Sequence, residues 1–382
     1  MIDFKITKKS KKSNARIGLL KTPHGVVETP TLVPVATQAV IKTLSSEEVR
    51  QTKSQILISN TFHLHLKPGE KIVAKHGGIH KFANLNIPIM TDSAGYQVFS
   101  LGFGRDYGTG KILTNNQKLT TNNQIQTGQQ PKNIKITDDG VYFKSPVNGD
   151  TLFIGPKESI KIQEQLGADI MFIFDECTSP IADFEYTKKS LLKTHKWAKI
   201  CLESKKTNQA LFGIVQGGKF KDLRIESAKY MASLPFDGFG IGGEFGGSKK
   251  TMMQMLKWVF KELPENKPRH LLGIGHLEDI PKIIKSGVDT FDCIAPTHYA
   301  RHGYAFTSTG KLDLSKTKFL NDKNPLDRKC KCFVCKDHSR AYITHLLKAR
   351  EITALKLLTF HNLYYYNSFV ENIRKQIKKG EI

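Results

Sequence analysis

Seven times between residues 56 and 292 a short apolar run ends in a polar residue or glycine, and amphipathic stretches of helical period lie between the runs. The runs are Ile56–Asn60, Ile87–Asp92, Ile170–Asp175, Phe212–Gln216, Gly238–Gly243, Leu271–Gly275 and Val288–Asp292. Expected helices include Lys157–Leu166, Tyr186–Glu203, Leu223–Leu234, Lys249–Glu262 and Leu277–Ser286. Strand and helix alternating every ~30 residues imply a parallel sheet, because parallel neighbours need a crossover connection. With seven or eight units, a closed (β/α)8 TIM barrel is the leading α/β architecture, and a doubly wound open sheet stands second.

In such a barrel the carboxyl ends of the strands share one mouth, where Asn60, Asp92, Asp175, Gln216, Gly243 and Asp292 would converge. Turns and helix caps also favour Asp, Asn and Gly, which explains any one of these residues better than three Asp and one Gln together. Two segments leave the pattern. Residues 102–138 are rich in Asn, Gln, Thr, Gly and Lys and read as a long surface loop, followed by a hairpin over Ile134–Phe143 with Asp139-Gly140 at its turn. Near Pro296 the rhythm yields to a cysteine cluster and a basic helical tail.

The chain of 382 residues suits one large domain with an appendage. Its net charge of +23 fits a polyanionic partner, or lysine drift in an AT-rich genome, and the segment Lys311–Ile382 holds sixteen basic against seven acidic residues. No apolar run approaches the ~18 residues of a membrane span, and the basic start lacks the apolar stretch of a secretory signal, so a cytoplasmic protein without membrane attachment is expected. Six cysteines are too few for a disulfide scaffold. Three of them, Cys330, Cys332 and Cys335, form a C-x-C-x-x-C cluster that with His361 supplies the ligand set of a closed, structural Zn2+ site, although His338 and His345 also lie near.

Thr91-Asp92-Ser93-Ala94-Gly95-Tyr96-Gln97 offers an acid at a strand end, small residues for close approach and an aromatic able to stack on a planar ring. Phe174-Asp175-Glu176-Cys177 and Val215-Gln216-Gly217-Gly218 add a carboxylate acceptor and an amide that donates and accepts, a set suited to the edge of a purine-like base. Cys177 reads equally well as an inert buried thiol.

These motifs, with Asp237-Gly238 through Gly242-Gly243, Phe291-Asp292-Cys293 and the cysteine cluster with His361-Asn362, resemble the bacterial-type tRNA-guanine transglycosylases in order and spacing. The resemblance covers nearly the whole chain and is nearest in pattern to chlamydial-type members, which carry a similar insertion. It implies a (β/α)8 barrel over 1–295 with an N-terminal cap and a 103–137 loop insertion, an inserted zinc-binding subdomain over 296–362 and a C-terminal helix over 363–382. It further implies exchange of guanine-34 in tRNA for Asp, Asn, His and Tyr by a 7-deazaguanine, queuine or preQ1, through a covalent ribosyl-aspartate. Asp292 would be the nucleophile on ribose C1′ and Asp92 the general base. Asp92, Ser93, Ala94, Gly95, Tyr96, Asp175, Gln216 and Gly243 would form the base pocket. Gly273-Ile274-Gly275-His276-Leu277-Glu278-Asp279 and Thr297-His298-Tyr299-Ala300-Arg301 would contact the RNA, and the protein would be a homodimer.

Two departures bear on substrate choice. Gly242-Gly243-Glu244-Phe245-Gly246-Gly247-Ser248 replaces the Gly-Gly-Leu-Ala-Val-Gly-Glu typical of preQ1-using members, a change expected to enlarge the pocket toward queuine. His298 stands where an arginine is common. A non-catalytic tRNA-binding subunit of the same family is the alternative, but it should have lost Asp292. The archaeosine branch would need further carboxyl-terminal RNA-binding domains, and a barrel glycosidase acting on free sugars would leave the cysteine cluster unexplained.

Overall fold

The computed structural model describes residues 2–99, 134–179, 182–243 and 249–382. Eight parallel strands form the barrel: Thr31–Pro34, Leu57–Ser59, Ile89–Thr91, Ile170–Phe172, Ala210–Val215, Gly238–Ile241, Arg269–Leu271 and Thr290–Cys293. From the second strand onward each pairs with the next, and the eighth pairs with the first in the register Asp292 to Val33. The seam between the first two strands is closed by a Val35–Ile58 bridge, with Ala36 N–H donating to Ile58 O (2.8 Å) and Asn60 N–H to Thr37 O (3.1 Å). Closure decides against the open sheet.

The strands and helices of the repeating pattern fall where expected within a few residues. The seventh strand lies earlier, at Arg269–Leu271, because Gly273 takes a left-handed backbone (φ 73°) and ends the run. The first strand, Thr31–Pro34, carries no alternation and ends in proline, so no sequence signal marked it. Ahead of it, Asp3–Lys9, Arg16–Thr22 and Gly25–Thr29 form an antiparallel sheet. Helix Pro156–Leu166 shows how the boundaries arise: proline opens it, the Glu158 carboxylate accepts from Gly155 N–H (3.1 Å), and Gly167 closes it with φ 72°. Inside the barrel the Phe172 ring packs 5.5 Å from Phe212 and 5.3 Å from His270.

The hairpin forms as expected, Ile134–Ile136 against Val141–Lys144, and Thr151–Ile154 extends it to three strands. Trp197, on helix Phe184–Ser204, donates its indole N–H to Asp138 O at 2.6 Å and ties the hairpin to the barrel. The rest of the expected insertion, 103–133, lies outside the described residues, as does 244–248.

Beyond the barrel come the helix Ala295–Arg301, the hairpin Tyr304–Thr307 with Gly310–Asp313, and the helices Phe333–Asp337, Arg340–Lys348 and Ile352–Lys379. The amphipathic stretch read over Ala341–Phe360 is broken at Arg350, whose φ is 59°. His361 therefore sits inside the 28-residue final helix, and the boundary drawn at 362/363 falls within that same helix. This helix packs on Ala295–Arg301 and reaches back to the barrel, where Asn367 donates to Thr52 O (2.8 Å) and Arg374 to Pro30 O (2.9 Å). Among the described residues, no helix is long and apolar enough to cross a membrane.

Candidate active site

At the carboxyl ends of the strands a cavity of about 370 Å³ is lined by Asn60, Asp92, Asp175, Gln216, Gly243 and Asp292, the six residues that the strand ends were expected to bring together. Ser93, Tyr96 and Cys177 also line it. Tyr96 is 40% exposed, so one ring face can meet a ligand at the rim.

Asp92 follows the third strand and is partly buried. Asn60 Nδ2 (2.6 Å) and Gln97 Nε2 (3.1 Å) donate to its Oδ2, while Thr61 N–H (2.9 Å) and Ala94 N–H (3.2 Å) donate to Oδ1. Local structure aims these donors. Asn60 caps helix Thr61–Leu66, which leaves the first helical N–H free to turn toward the carboxylate, and Ala94 takes φ 69°. Loss of water raises the Asp92 pKa to about 7; the donors from Thr61, Ala94 and Gln97 oppose this, and the Asp292 charge adds a smaller push.

Asp175 is buried and accepts from Gln216 Nε2 (2.5 Å) and Ser93 Oγ (3.2 Å). Gly95 lets the two strand ends come this close, since a Cβ there would sit 2.8 Å from Asp175 O. At Gly243 (φ 78°) a Cβ would lie 2.3 Å from Gln216 Oε1, so no larger residue fits while the amide keeps its place. Arg224, which sequence reasoning missed, braces this wall: fully buried, it donates from Nη1 to Gly242 O (2.8 Å) and from Nε to Gly218 O (2.7 Å). Its signal was a cation on the buried face of helix Lys221–Ala232.

Asp292 lies within the eighth strand, and its Oδ1 accepts from Gly273 N–H at 2.7 Å. His270 Nε2 is 3.2 Å from the same oxygen, and His270 Nδ1 is 2.8 Å from Thr290 Oγ1. A neutral ring with its proton on Nε2 satisfies both contacts, donating to Asp292 and accepting from Thr290. His270 was also missed, because it sits in a strand that reads as polar. Only the single barrel-facing histidine beside Leu271-Leu272 could have drawn attention to it.

Of the expected RNA-contacting stretches, Gly273, His276, Glu278 and His298 are exposed, and Leu277, Tyr299 and Arg301 are half-buried. Ile274, Gly275, Asp279, Thr297 and Ala300 are buried beneath them. The exposed side is aromatic and basic: His298 and His302 rings lie 4.4 Å apart, and Lys311 Nζ sits 4.3 Å over the Tyr299 ring and 4.8 Å over Tyr304.

In the tail, Cys330, Cys332, Cys335 and His361 place all their donor atoms within 4.8 Å of one another, an arrangement that can hold a metal ion. His361 Nδ1 is 3.5 Å from Cys332 Sγ and 3.3 Å from Cys335 Sγ. A tetrahedral ion with metal–sulfur bonds of ~2.3 Å and metal–nitrogen bonds of ~2.0–2.1 Å separates such atoms by about 3.5 Å. The opposite ring nitrogen, Nε2, lies 2.8 Å from Phe306 O, which fixes the tautomer that leaves Nδ1 free to bind.

The sequence model of the TGT family, Queuine tRNA-ribosyltransferase, matches residues 10–382. A putative queuine tRNA-ribosyltransferase of Archaeoglobus fulgidus is 44% identical over 96% of this chain and 94% of its own length. A queuine tRNA-ribosyltransferase of Thermoanaerobacter pseudethanolicus is 43% identical over 100% of this chain and 95% of its own. One from Staphylococcus aureus is 41% identical over 100% and 94%.

Proposed function

The chain belongs to the queuine tRNA-ribosyltransferase family, and from that premise we propose that it is a pentosyltransferase that exchanges guanine-34 of tRNA for a 7-deazaguanine, with Asp292 as nucleophile and Asp92 as proton carrier. One observation carries the assignment of roles: three carboxylates with different surroundings, Asp92, Asp175 and Asp292, face a single base-sized cavity at the strand ends.

In the first half-reaction an Asp292 oxygen forms a bond to ribose C1′ as the bond from C1′ to guanine N9 breaks. The departing base takes the electron pair and receives a proton from Asp92, whose pKa near 7 leaves it protonated in about half the molecules at neutral pH. The incoming base then gives its N9 proton to Asp92 and attacks C1′, and the bond to Asp292 breaks. Two displacements keep the ribose configuration and leave the phosphodiester chain intact, and a carboxylate is suited to trap the oxocarbenium-like species between them. Gly273 N–H and His270 both meet Asp292 Oδ1 and so fix the orientation of the nucleophile.

Asp175 accepts from the N–H edge of the base, Gln216 and the Gly243 backbone meet its carbonyl side, and Tyr96 stacks on the ring. The surface of His276, His298, Tyr299 and Arg301 takes the anticodon loop, whose bound nucleotide must be splayed out of its stack. In the tail the ion is Zn2+, one per chain; three thiolates and one imidazole leave no open position, so its role is to hold the fold. The working form is a cytoplasmic homodimer, which sedimentation at several concentrations tests.

The decisive experiment loads tRNA with labelled guanine at position 34 and chases separately with preQ1 and queuine, with Asp292→Asn as control. Release of label by either base, abolished in the variant, is expected. Queuine alone would mark a salvage enzyme with an enlarged pocket. No release by either base, with the variant indistinguishable, would leave a non-catalytic tRNA-binding chain.

A further inference from the structure

At the amino-terminal end of the barrel strands, away from the mouth, a second cavity of about 540 Å³ lies between the N-terminal sheet, helix Lys249–Phe260 and the start of strand Arg269–Leu271. Lys9, Arg16, Lys257, Lys261 and Arg269 line it against a single carboxylate, Glu265. Glu265 is already engaged by Lys9 at 2.8 Å. Nothing in base exchange uses this end of the barrel.

Two of these cations are buried: Arg16 is 3% exposed and Arg269 7%. The carboxylate beside them, Asp289, is fully buried, and both its oxygens accept from Arg16, Nε to Oδ1 at 2.8 Å and Nη2 to Oδ2 at 2.5 Å. Arg269 gives Asp289 only its backbone N–H, at 2.8 Å. Arg16 thus takes both oxygens of Asp289, and the Arg269 guanidinium feels that carboxylate and Glu265 only as neighbouring charges.

The Arg269 side chain is poorly satisfied. Its Nη2 makes two long contacts of 3.4 Å to the carbonyls of Phe260 and Leu263, its guanidinium lies 4.7 Å over the Phe260 ring, and its Nε is buried with no hydrogen-bond partner among the described residues. Burial, and next the Arg16 charge, pull its pKa down to about 10. A buried donor without an acceptor is costly unless a ligand supplies one. Lys257 and Lys261, one helical turn apart and exposed, form no ion pair among the described residues and stand at the open side of the same cavity.

We propose that this cavity binds a small phosphate-bearing anion, gripped by the Arg269 guanidinium at its inner wall and by Lys257 and Lys261 at its entrance. A planar fork of donors matches phosphate oxygens, and the two ammonium groups neutralise the remaining charge. The position, at the opposite end of the barrel from Asp92 and Asp292, separates this anion from the phosphodiester chain engaged at the mouth.

The test is calorimetric titration of the full-length, metal-loaded protein with inorganic phosphate and with pyrophosphate, at constant ionic strength set by chloride. Saturable binding at one site is expected, weakened about tenfold in a Lys257→Gln/Lys261→Gln double variant and lost in Arg269→Gln. Base exchange and tRNA affinity should stay unchanged in the double variant. Should Arg269→Gln fail to fold, the double variant carries the test alone. Absence of saturable binding to the parent protein, or equal binding by parent and double variant, overturns the proposal. Weakened tRNA binding in the double variant with phosphate binding intact also overturns it, because the lysines would then serve the RNA backbone.

Discussion

At neutral pH the Asp92 carboxyl is about half protonated, because burial outweighs the four donors around it. Two consequences follow at this scale. In single-turnover measurements, guanine release should fall as pH rises through about 7 and uptake of the new base should rise through the same value; Asp92→Asn should slow both by ~10²–10⁴-fold. The second concerns stability. The unfolded chain ionises this group near 3.9 while the fold holds it protonated to about 7, so between those values the native state binds more protons and stability declines as pH rises. Asp92→Asn lacks that decline, and urea titrations at pH 5 and 8 should show the variant gaining on the parent at the higher pH. If Asp292 is the nucleophile proposed above, His270 positions it: His270→Ala should lower kcat by roughly tenfold or more with little change in KM for tRNA, whereas His270→Gln, able to donate to Asp292, should recover part of it. An equal rise in KM would place His270 in RNA binding instead. The carboxylates were legible in the sequence because each stood at the end of an apolar run. His270 and Arg224 were not, since a buried histidine or arginine looks like any polar residue until the strand or helix bearing it is known to face inward.

Among the elements, legibility followed regularity. Helices such as Phe184–Ser204 announce themselves by period and cap, while strand Thr31–Pro34 is four residues long and buried throughout, so it offers no alternation to detect. The final helix was harder still, because Arg350 breaks an amphipathic pattern without glycine or proline to mark the place. This helix carries His361 about a third of the way along and grips the barrel with Asn367 and Arg374 further on. Removing the metal with a chelator, or Cys332→Ser, should therefore expose 296–362 to proteolysis while the barrel core resists, and limited digestion followed by mass analysis reads this directly. If the cleavage pattern were unchanged, the cluster would not be holding this region together. Trp197→Phe, which removes the bond to Asp138 O and leaves a gap where the indole packs on Phe174, should cost at least ~1 kcal/mol in denaturant unfolding.

For the molecule as a whole, a net charge of +23 makes RNA binding sensitive to salt. The logarithm of tRNA affinity should fall linearly with the logarithm of salt concentration, and Arg301→Gln should lower that slope by roughly one without altering which tRNAs are chosen. The barrel that carries this charge is not uniform around its circumference. Seven of its seams are ladders between strands, and the eighth is the clasp at Val35 and Ile58 with its two flanking bonds. Deuterium should enter the Ala36 and Asn60 amides before any other barrel amide among the described residues. Asn60 also donates to Asp92, so each opening of the clasp would loosen the proposed proton carrier, and the wall expected to open first is the one on which the proposed proton transfer would depend.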